Sequence, residues 1–292
     1  MATLSRVTDC TGVDGGLGQL IGLIRSAGVC ALTGAGISTD SGIPDYRGPE
    51  RRDRPATPMR FGEFIGSADA RRRYWARSAI GWRVVERAEP NAGHRIVEAL
   101  RESGLVTGLV TQNVDGLHRA AGSRDAVELH GALRRVICLD CGRGEPRTDY
   151  QARIVLQNPG WTDRAGDIAP DGDINLDDET AERFVVPSCR RCGGSMKPDV
   201  VFFGESVPKD RVARAFAHVD RSRSLLVLGS SLTVYSGYRF AEHAARMRKP
   251  IAIVNDGPTR ADSIATIKVE RRLGAVLTEI ATEIGLTTRI SG

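Results

Sequence analysis

Val29-Cys30-Ala31-Leu32-Thr33-Gly34-Ala35-Gly36-Ile37-Ser38 is the stretch on which the fold turns. Its first five residues form an apolar, strand-like run, with Cys30 as part of the core. The run stops at Gly34-Ala35-Gly36, where a doubly wound α/β fold places its phosphate-binding turn. Glycines there permit tight backbone angles and let N–H groups approach a pyrophosphate. G-x-G alone is weak evidence. Thr39 stands where the dinucleotide fingerprint has its third glycine, and no second strand ending in an acid follows about twenty residues on. An ordinary hydride-transferring dehydrogenase therefore fits poorly.

Outward from this run the chain alternates. Leu17, Leu20, Ile21 and Ile24 repeat at helical spacing, which predicts a helix over 15–27. Residues 50–93 lack strand signals and predict a helical insertion. Pro90-Asn91 starts a further helix through residue 100, followed by a strand at 105–110. Short strands are expected at 127–129 and 132–137, on either side of His130-Gly131. A polar, loop-rich stretch follows at 142–188. Then come a strand at 200–203, a helix at 209–219, a strand at 225–228 and a helix at 237–247. Strands at 251–254 and 267–269 and a final helix from 273 complete the chain. Strand–helix alternation with apolar strands implies a parallel sheet covered on both faces. The expected architecture is a doubly wound, Rossmann-like α/β domain formed by residues 1–137 and 198–292, with a small module inserted at 138–197.

That module is marked by Cys138-x-x-Cys141 and Cys189-x-x-Cys192. Each pair presents two thiolates to one metal, and two pairs complete a tetrahedral all-cysteine zinc site with no open position for chemistry. Between the pairs lie 47 residues, against the roughly 15–20 of a common zinc ribbon. Two disulfides or four unrelated buried thiols are the alternatives. Zinc is preferred, because C-x-x-C is poor geometry for a disulfide scaffold and the rest of the chain reads as cytosolic.

Composition narrows the class further. The chain has 292 residues, 41% hydrophobic and 26% charged, as expected of a globular protein with room for one large core and a small one. Residues 1–16 show no apolar core of a signal peptide and carry two aspartates, which points to the cytoplasm. No run approaches the roughly 18 apolar residues of a membrane span, so no membrane partner is expected. A net charge of +5 would allow nucleic-acid binding, but the arginines are dispersed among 36 acids. The dense groups Arg51-Arg52-x-Arg54 and Arg71-Arg72-Arg73 read as solvated faces, and no nucleic-acid partner is expected.

Further strand ends carry polar residues suited to a ligand. Gly229-Ser230-Ser231 follows the run at 225–228, and Asn255-Asp256-Gly257 follows the run at 251–254. Any one of these could be only a turn; three such turns in one sheet favour a nucleotide in the crevice at the carboxyl ends of the strands. Gln112-Asn113-Val114-Asp115 ends another strand, with His130 a short distance beyond. Histidine is the side chain best suited to moving a proton at neutral pH, and an amide and a carboxylate can position a polar ligand and a water. His94, His118, His218 and His243 lie in helix-like contexts and read as structural or exposed.

These motifs in order, joined by Gly42-Ile43-Pro44-Asp45-Tyr46-Arg47, Pro198-Asp199-Val200-Val201-Phe202-Phe203-Gly204-Glu205 and Gly229-Ser230-Ser231-Leu232, resemble the sirtuins, NAD-dependent protein lysine deacylases. The resemblance spans roughly residues 15–285. Tyr74-Trp75-Ala76-Arg77, Ala169-Pro170-Asp171-Gly172-Asp173, Val234-Tyr235-Ser236-Gly237-Tyr238-Arg239-Phe240 and Gly257-Pro258-Thr259-Arg260 look most like the class II branch, which includes mitochondrial sirtuin four.

The resemblance implies NAD as cofactor, zinc as a structural ion and acylated-lysine proteins as substrates. NAD would lie with its pyrophosphate on Gly34, Ala35 and Gly36, beside Ser38, and on Gly229, Ser230 and Ser231. Asp45, Tyr46 and Arg47 would belong to the loop over it. Asn255, in a turn continued by Asp256 and Gly257, would hold the adenosine ribose, and Leu273 would bring its backbone near the adenine. Gln112 would take the nicotinamide ribose, Asp115 the carboxamide and Asn113 an ordered water. The acyl-lysine oxygen attacks the ribose, nicotinamide leaves, and His130 removes a proton from the ribose diol. Free lysine and O-acyl-ADP-ribose result. The peptide would lie extended against Val201, Phe202, Gly204 and Glu205 on one side and Val234 and Tyr235 on the other. In relatives that remove acidic acyl groups, a tyrosine and an arginine spaced like Tyr74 and Arg77 bind the distal carboxylate. A protein ADP-ribosyltransferase using the same NAD site, or a non-enzymatic NAD-binding regulator, are the competing functions. The regulator has no need of Asn113, Asp115 and His130 together.

Overall fold

A computed structural model describes residues 13–45, 58–163 and 181–286. Its strands in chain order are β1 (Val29–Thr33), β2 (Val106–Thr111), β3 (Val127–Glu128), β4 (Gly131–Cys138), β5 (Gly144–Pro146), β6 (Met196–Val200), β7 (Ser224–Leu228), β8 (Ile251–Val254) and β9 (Ile267–Val269). Six of them form one sheet in the order β3-β2-β1-β7-β8-β9, parallel at every pairing. The order reverses at β1, so the chain leaves it to one side first and fills the other side later.

Period-two alternation explains why both faces are covered. In β1, Val29 and Ala31 join one core, while Cys30 and Leu32 join the other. Leu226 and Leu228 in β7 split from Leu225 and Val227 in the same way, as do Ala252 and Val254 from Ile251 and Ile253 in β8. Strands apolar at every position can only sit between two helical layers. The helices Val13–Arg25, Ala92–Glu102 and Leu273–Ile284 cover the first face through Leu20, Ile24, Ile96, Leu100, Leu277 and Ile280. Lys209–Arg221 and Tyr235–Arg246 cover the second through Ala215, Val219, Phe240 and Ala244. The helix Ala92–Glu102 starts where Pro90-Asn91 predicts it, and Asn91 forms a reciprocal capping box with His94.

The remaining strands make a separate antiparallel sheet in the order β5-β4-β6. Two expectations are corrected here. The stretch at 142–188 is not wholly irregular: it contains the helix Arg147–Gln157, which buries Tyr150 and Ile154. The strand expected at 200–203 lies instead at 196–200 and pairs with β4 rather than with the parallel sheet. An edge position lets Pro198 sit in that strand without breaking a ladder on both sides. The helical insertion appears as Phe61–Gly66 and Ala68–Arg87, and its Phe64, Tyr74, Trp75 and Trp82 share one core with Tyr150, Trp161 and Phe184 of the module. Among the described residues no helix is long and apolar enough to cross a membrane.

Candidate active site

Register places the site. Thr33 pairs with Thr111 and with Leu228, Thr111 with Glu128, Leu228 with Val254, and Val254 with Val269. The six strands therefore end level, and the residues that follow them emerge side by side. Gln112 and Asn113 leave β2, Gly34 leaves β1, Gly229 leaves β7, Asn255 leaves β8 and Glu270 leaves β9, while His130 follows β3. All of these line one cavity of about 800 Å³, within the usual size for a small-molecule site. Parallel sheets bind ligands at this edge because the turns, not the strands, offer unpaired polar groups.

The glycine turns meet each other. The Gly36 N–H donates to the Gly229 carbonyl at 2.9 Å, and Gly229 sits at φ +60°. A Cβ on Gly36 would lie 2.9 Å from the Gly229 Cα, and one on Gly34 would lie 2.6 Å from the Ser230 Cβ. Close approach of the β1 and β7 turns thus demands glycine at these positions, before any ligand is considered.

His130 is fixed at both ring nitrogens. Nδ1 lies 2.8 Å from the Gln112 carbonyl, and Nε2 lies 2.8 Å from the Ser236 hydroxyl. A carbonyl only accepts, so Nδ1 carries the proton and Nε2 keeps its lone pair in the neutral ring. Burial pulls the His130 pKa below its ordinary value, and the charges of Arg239 and Arg211 act the same way, against the bond to Gln112. The ring is therefore neutral at pH 7, with the Ser236 hydroxyl beside the unprotonated Nε2. Ser236 lines the cavity, yet sequence spacing assigns it no role; it lies in the first turn of the helix after β7.

Asn113, Ser38 and Asp115 form a second polar group. The Ser38 hydroxyl donates to Asp115 Oδ2 at 2.7 Å and accepts from Asn113 Nδ2 at 3.0 Å, and Asn113 also donates to the Gly34 carbonyl. The Leu117 N–H supports the other carboxylate oxygen at 2.8 Å. Burial raises the Asp115 pKa, and these hydrogen bonds oppose it. Behind them His94 and His118 pack edge to face at 4.9 Å, both buried and both held neutral. Ser38, expected at the pyrophosphate, serves within this structure as the link between Asn113 and Asp115. Gln112 donates to the Ser230 hydroxyl at 2.8 Å, and a Cβ on Gly237 would overlap its Oε1.

Most expected residues converge. Ala35, Asp45, Ser231, Asp256 and Gly257 line the cavity, as do Val201, Phe202, Gly204, Glu205 and Val234. Several do not. Leu273 does not line the cavity: its side chain is packed in the core, whereas the expectation concerned its backbone. Tyr235 is 55% exposed, and neither it nor Arg77 is among the lining residues. Tyr74 is 2% exposed and stands one layer behind the wall, its ring 5.1 Å from that of Phe202. Tyr46, Arg47, Arg51, Arg52, Arg54 and 169–173 lie outside the described residues. The sequence also gave no pointer to Glu270 or Thr233, which line the cavity.

The four cysteines meet at the end of β4. Cys138 and Cys192 sulfurs lie 3.5 Å apart, Cys141 and Cys189 3.7 Å apart, and all four lie within 4.8 Å of one another. A zinc with bonds of about 2.3 Å in a tetrahedron needs sulfurs roughly 3.8 Å apart, far beyond a disulfide. The donor set fits zinc, and the cavity with its two glycine turns fits a dinucleotide.

Residues 34–236 match the Sir2 family. An NAD-dependent protein deacetylase 1 of Streptomyces coelicolor is 53% identical over 90% of this chain and 88% of its own. An NAD-dependent protein deacetylase of Bordetella bronchiseptica is 49% identical over 94% of this chain and 98% of its own. Among solved structures, Sir2Tm bound to a propionylated peptide is 28% identical and superposes with a TM-score of 0.73, covering 92% of this chain and 99% of that one. A Sir2 complex with a p53 peptide and NAD+ gives 0.70 at 29% identity, over 92% of this chain and 98% of that one. This chain belongs to the Sir2 family, the sirtuins.

Proposed function

We propose that this chain is an NAD-dependent protein lysine deacylase of the class II branch, acting in the cytoplasm on acetyl-lysine proteins and releasing nicotinamide and O-acyl-ADP-ribose. The observation that carries this reading is His130: a neutral imidazole with its proton fixed on Nδ1 and its basic Nε2 beside Ser236 in the cavity. Binding alone has no use for such a base. NAD, when bound, supplies the activated ribose to which the acyl group passes.

The chain's own residues do the rest. The Gly34–Gly36 and Gly229–Ser231 turns would hold the cofactor's phosphates, and Asn255 its adenosine end. Asp115, steadied by Ser38 and Leu117, would accept from the nicotinamide amide, and Gln112 would hold the adjoining ribose. Asn113 orders a water. His130, held through the Gln112 carbonyl, would take a proton from the ribose hydroxyl onto Nε2. Segment 200–205 and the Thr233–Val234 segment form the walls between which an extended peptide adds its backbone. Zinc on the four cysteines holds the module and takes no part in the reaction. The buried stacking of Tyr74 favours short neutral acyl groups over acidic ones.

Incubation with NAD and peptides bearing acetyl, propionyl or succinyl lysine, followed by mass spectrometry, tests the reading. Free lysine with O-acetyl-ADP-ribose is expected. ADP-ribose attached to protein, with the acyl group untouched, would establish a transferase instead.

A further inference from the structure

Lys197 is a cation inside an aromatic core. It lies on β6 at 2% exposure, with its ammonium 4.4 Å from the Phe202 ring centroid and 5.8 Å from that of Phe61. Its polar contacts are Glu205 Oε2 at 3.0 Å, the Pro198 carbonyl at 3.3 Å and the Val200 carbonyl. Burial lowers the Lys197 pKa, and Glu205 opposes that shift. A buried ion pair is weak evidence for stability, since an apolar side chain of similar volume often serves as well. What such a pair does is fix geometry, because each donor and acceptor has few ways to be satisfied.

The geometry fixed here belongs to the cavity wall. Val200, Phe202 and Glu205 all line the cavity, and Lys197 touches each of them from behind. Glu205 Oε2 also accepts from the Phe202 N–H at 2.9 Å, and the Glu205 N–H returns to the Phe202 carbonyl at 3.0 Å. On the flanks, the His130 carbonyl accepts from the Val201 N–H at 2.8 Å and the Phe203 carbonyl from the Phe61 N–H at 2.9 Å. Five of the six residues 200–205 are thus held by the strand end at His130, by the helical insertion and by one buried ammonium.

We propose that Lys197 is a positioning residue for the substrate peptide: through Glu205 and the Val200 carbonyl it holds segment 200–205 in the shape to which an acyl-lysine backbone adds as a strand. The proposal rests on the deacylase reading. Pre-ordering a wall in its bound shape removes an ordering cost from peptide binding and leaves the cofactor side untouched.

The test uses the full zinc-loaded chain with Lys197→Met, Lys197→Arg, Glu205→Gln and the Met/Gln double variant. The readouts are peptide and NAD kinetics with an acetyl-lysine peptide, and amide hydrogen exchange. Lys197→Met should raise the peptide KM at least tenfold, with kcat within threefold and the NAD dissociation constant within twofold. Exchange at residues 201–205 should quicken at least tenfold while β1 and β7 stay protected. Lys197→Arg should recover most of the loss, and the double variant should be no worse than Lys197→Met. A peptide KM within twofold of wild type, equal losses for peptide and NAD, or additive effects in the double variant would overturn the role. Should Lys197→Met not fold, Glu205→Gln decides by the same KM split and the same exchange window. A wild-type chain that deacylates beside an unaffected Lys197→Met removes this proposal alone. A wild-type chain that neither binds nor deacylates the peptide removes both.

Discussion

The six-stranded sheet and the cysteine-bearing sheet are built around cores of different composition. The first is lined by aliphatic side chains alternating to its two faces. The second contains the two buried cations of the described residues, Arg147 and Lys197. Arg147 lies 5.2 Å from the Trp75 ring centroid and 5.1 Å from that of Trp82, and it donates to the Ser78 carbonyl and the Gln151 amide oxygen. Burial lowers its pKa only to about 10, so the charge survives at neutral pH. A non-directional core tolerates shifts of its members, whereas cations and thiolates specify one arrangement. The sheet supplies a level row of strand ends, and the module sets where segment 200–205 stands relative to His130.

Metal removal should separate the two regions most sharply. Structural zinc binds with an apparent free energy of roughly 10–16 kcal/mol in small zinc domains, much of it expressed as folding. A strong chelator should release one zinc per chain, expose amides at 131–157 and 181–200 to exchange, and abolish deacylation while β1, β2, β7 and β8 stay protected. Simultaneous loss of both sheets would show that they form one cooperative unit. Freshly purified protein without zinc would remove the metal assignment altogether.

Next in size is the base. His130→Ala should lower kcat by about 10²–10⁴ and leave NAD binding within a few-fold, because in the proposed reaction the ring acts on a proton and does not anchor the cofactor. The depressed pKa of His130 gives the pH profile its sign. The ring stays neutral as pH falls through the ordinary histidine range, so wild-type kcat/KM should hold level past pH 6.5 and decline only below it. A midpoint above 6.5 would contradict the burial argument.

The sheet core is broken by Leu226→Ala, a fully buried position between the helices of the first face. Loss of a buried leucine costs about 2–5 kcal/mol with its cavity. Urea unfolding should show that loss, with zinc content unchanged. A smaller expected effect sits in the first turn of helix Ala92–Glu102. Burial holds the His94 pKa at about 4, against 6.5 for the free side chain. Between those values the unfolded chain binds a proton that the folded chain does not, so the contribution is full above pH 6.5 and is lost as pH falls toward 4. Wild type should lose about 2 kcal/mol more than His94→Asn between pH 7 and 5, taking 1.36 kcal/mol per unit. Equal losses would mean that His94 is already protonated in the fold.

The parallel sheet was largely legible because every strand buried on both faces must be apolar throughout, and Leu225 to Leu228 or Ile251 to Val254 admit few other readings. Its site was legible for the same reason: once the strands are fixed, the residues after them lie in the crevice. The module was not. Helix Arg147–Gln157 buries Tyr150 and Ile154 but leaves Val155 and Leu156 exposed, and Pro146 gives it no side-chain cap. Its apolar pattern therefore has no clear period. In β6 the buried residues include Lys197 and Pro198, which sequence propensity counts against a strand. Ser236 and Tyr74 depend on which way a helix face turns, and only packing decides that.

The finest distinction between the regions concerns Tyr74 and Arg77, which the sequence offers as a carboxylate clamp. They stand three residues apart on Ala68–Arg87, so the two side chains share a face. Tyr74 fills that face inward, with ring centroids 5.5 Å from Phe64, 5.4 Å from Trp75 and 5.1 Å from Phe202. Its position is that of a core residue behind the cavity wall, and reaching an acyl group would require Phe202 to leave that wall. Arg77 is half-buried beside it and does not line the cavity. A guanidinium that grips a carboxylate is worth about 1.5–3 kcal/mol, a loss of more than tenfold when removed. A guanidinium that only supports the helical insertion affects all substrates alike. Arg77→Met should therefore change kcat/KM for acetyl and succinyl peptides by the same factor, within twofold of each other. Measuring both on one preparation cancels any change in folded fraction. Selective loss of the succinyl substrate by tenfold or more would assign Arg77 to the acyl pocket.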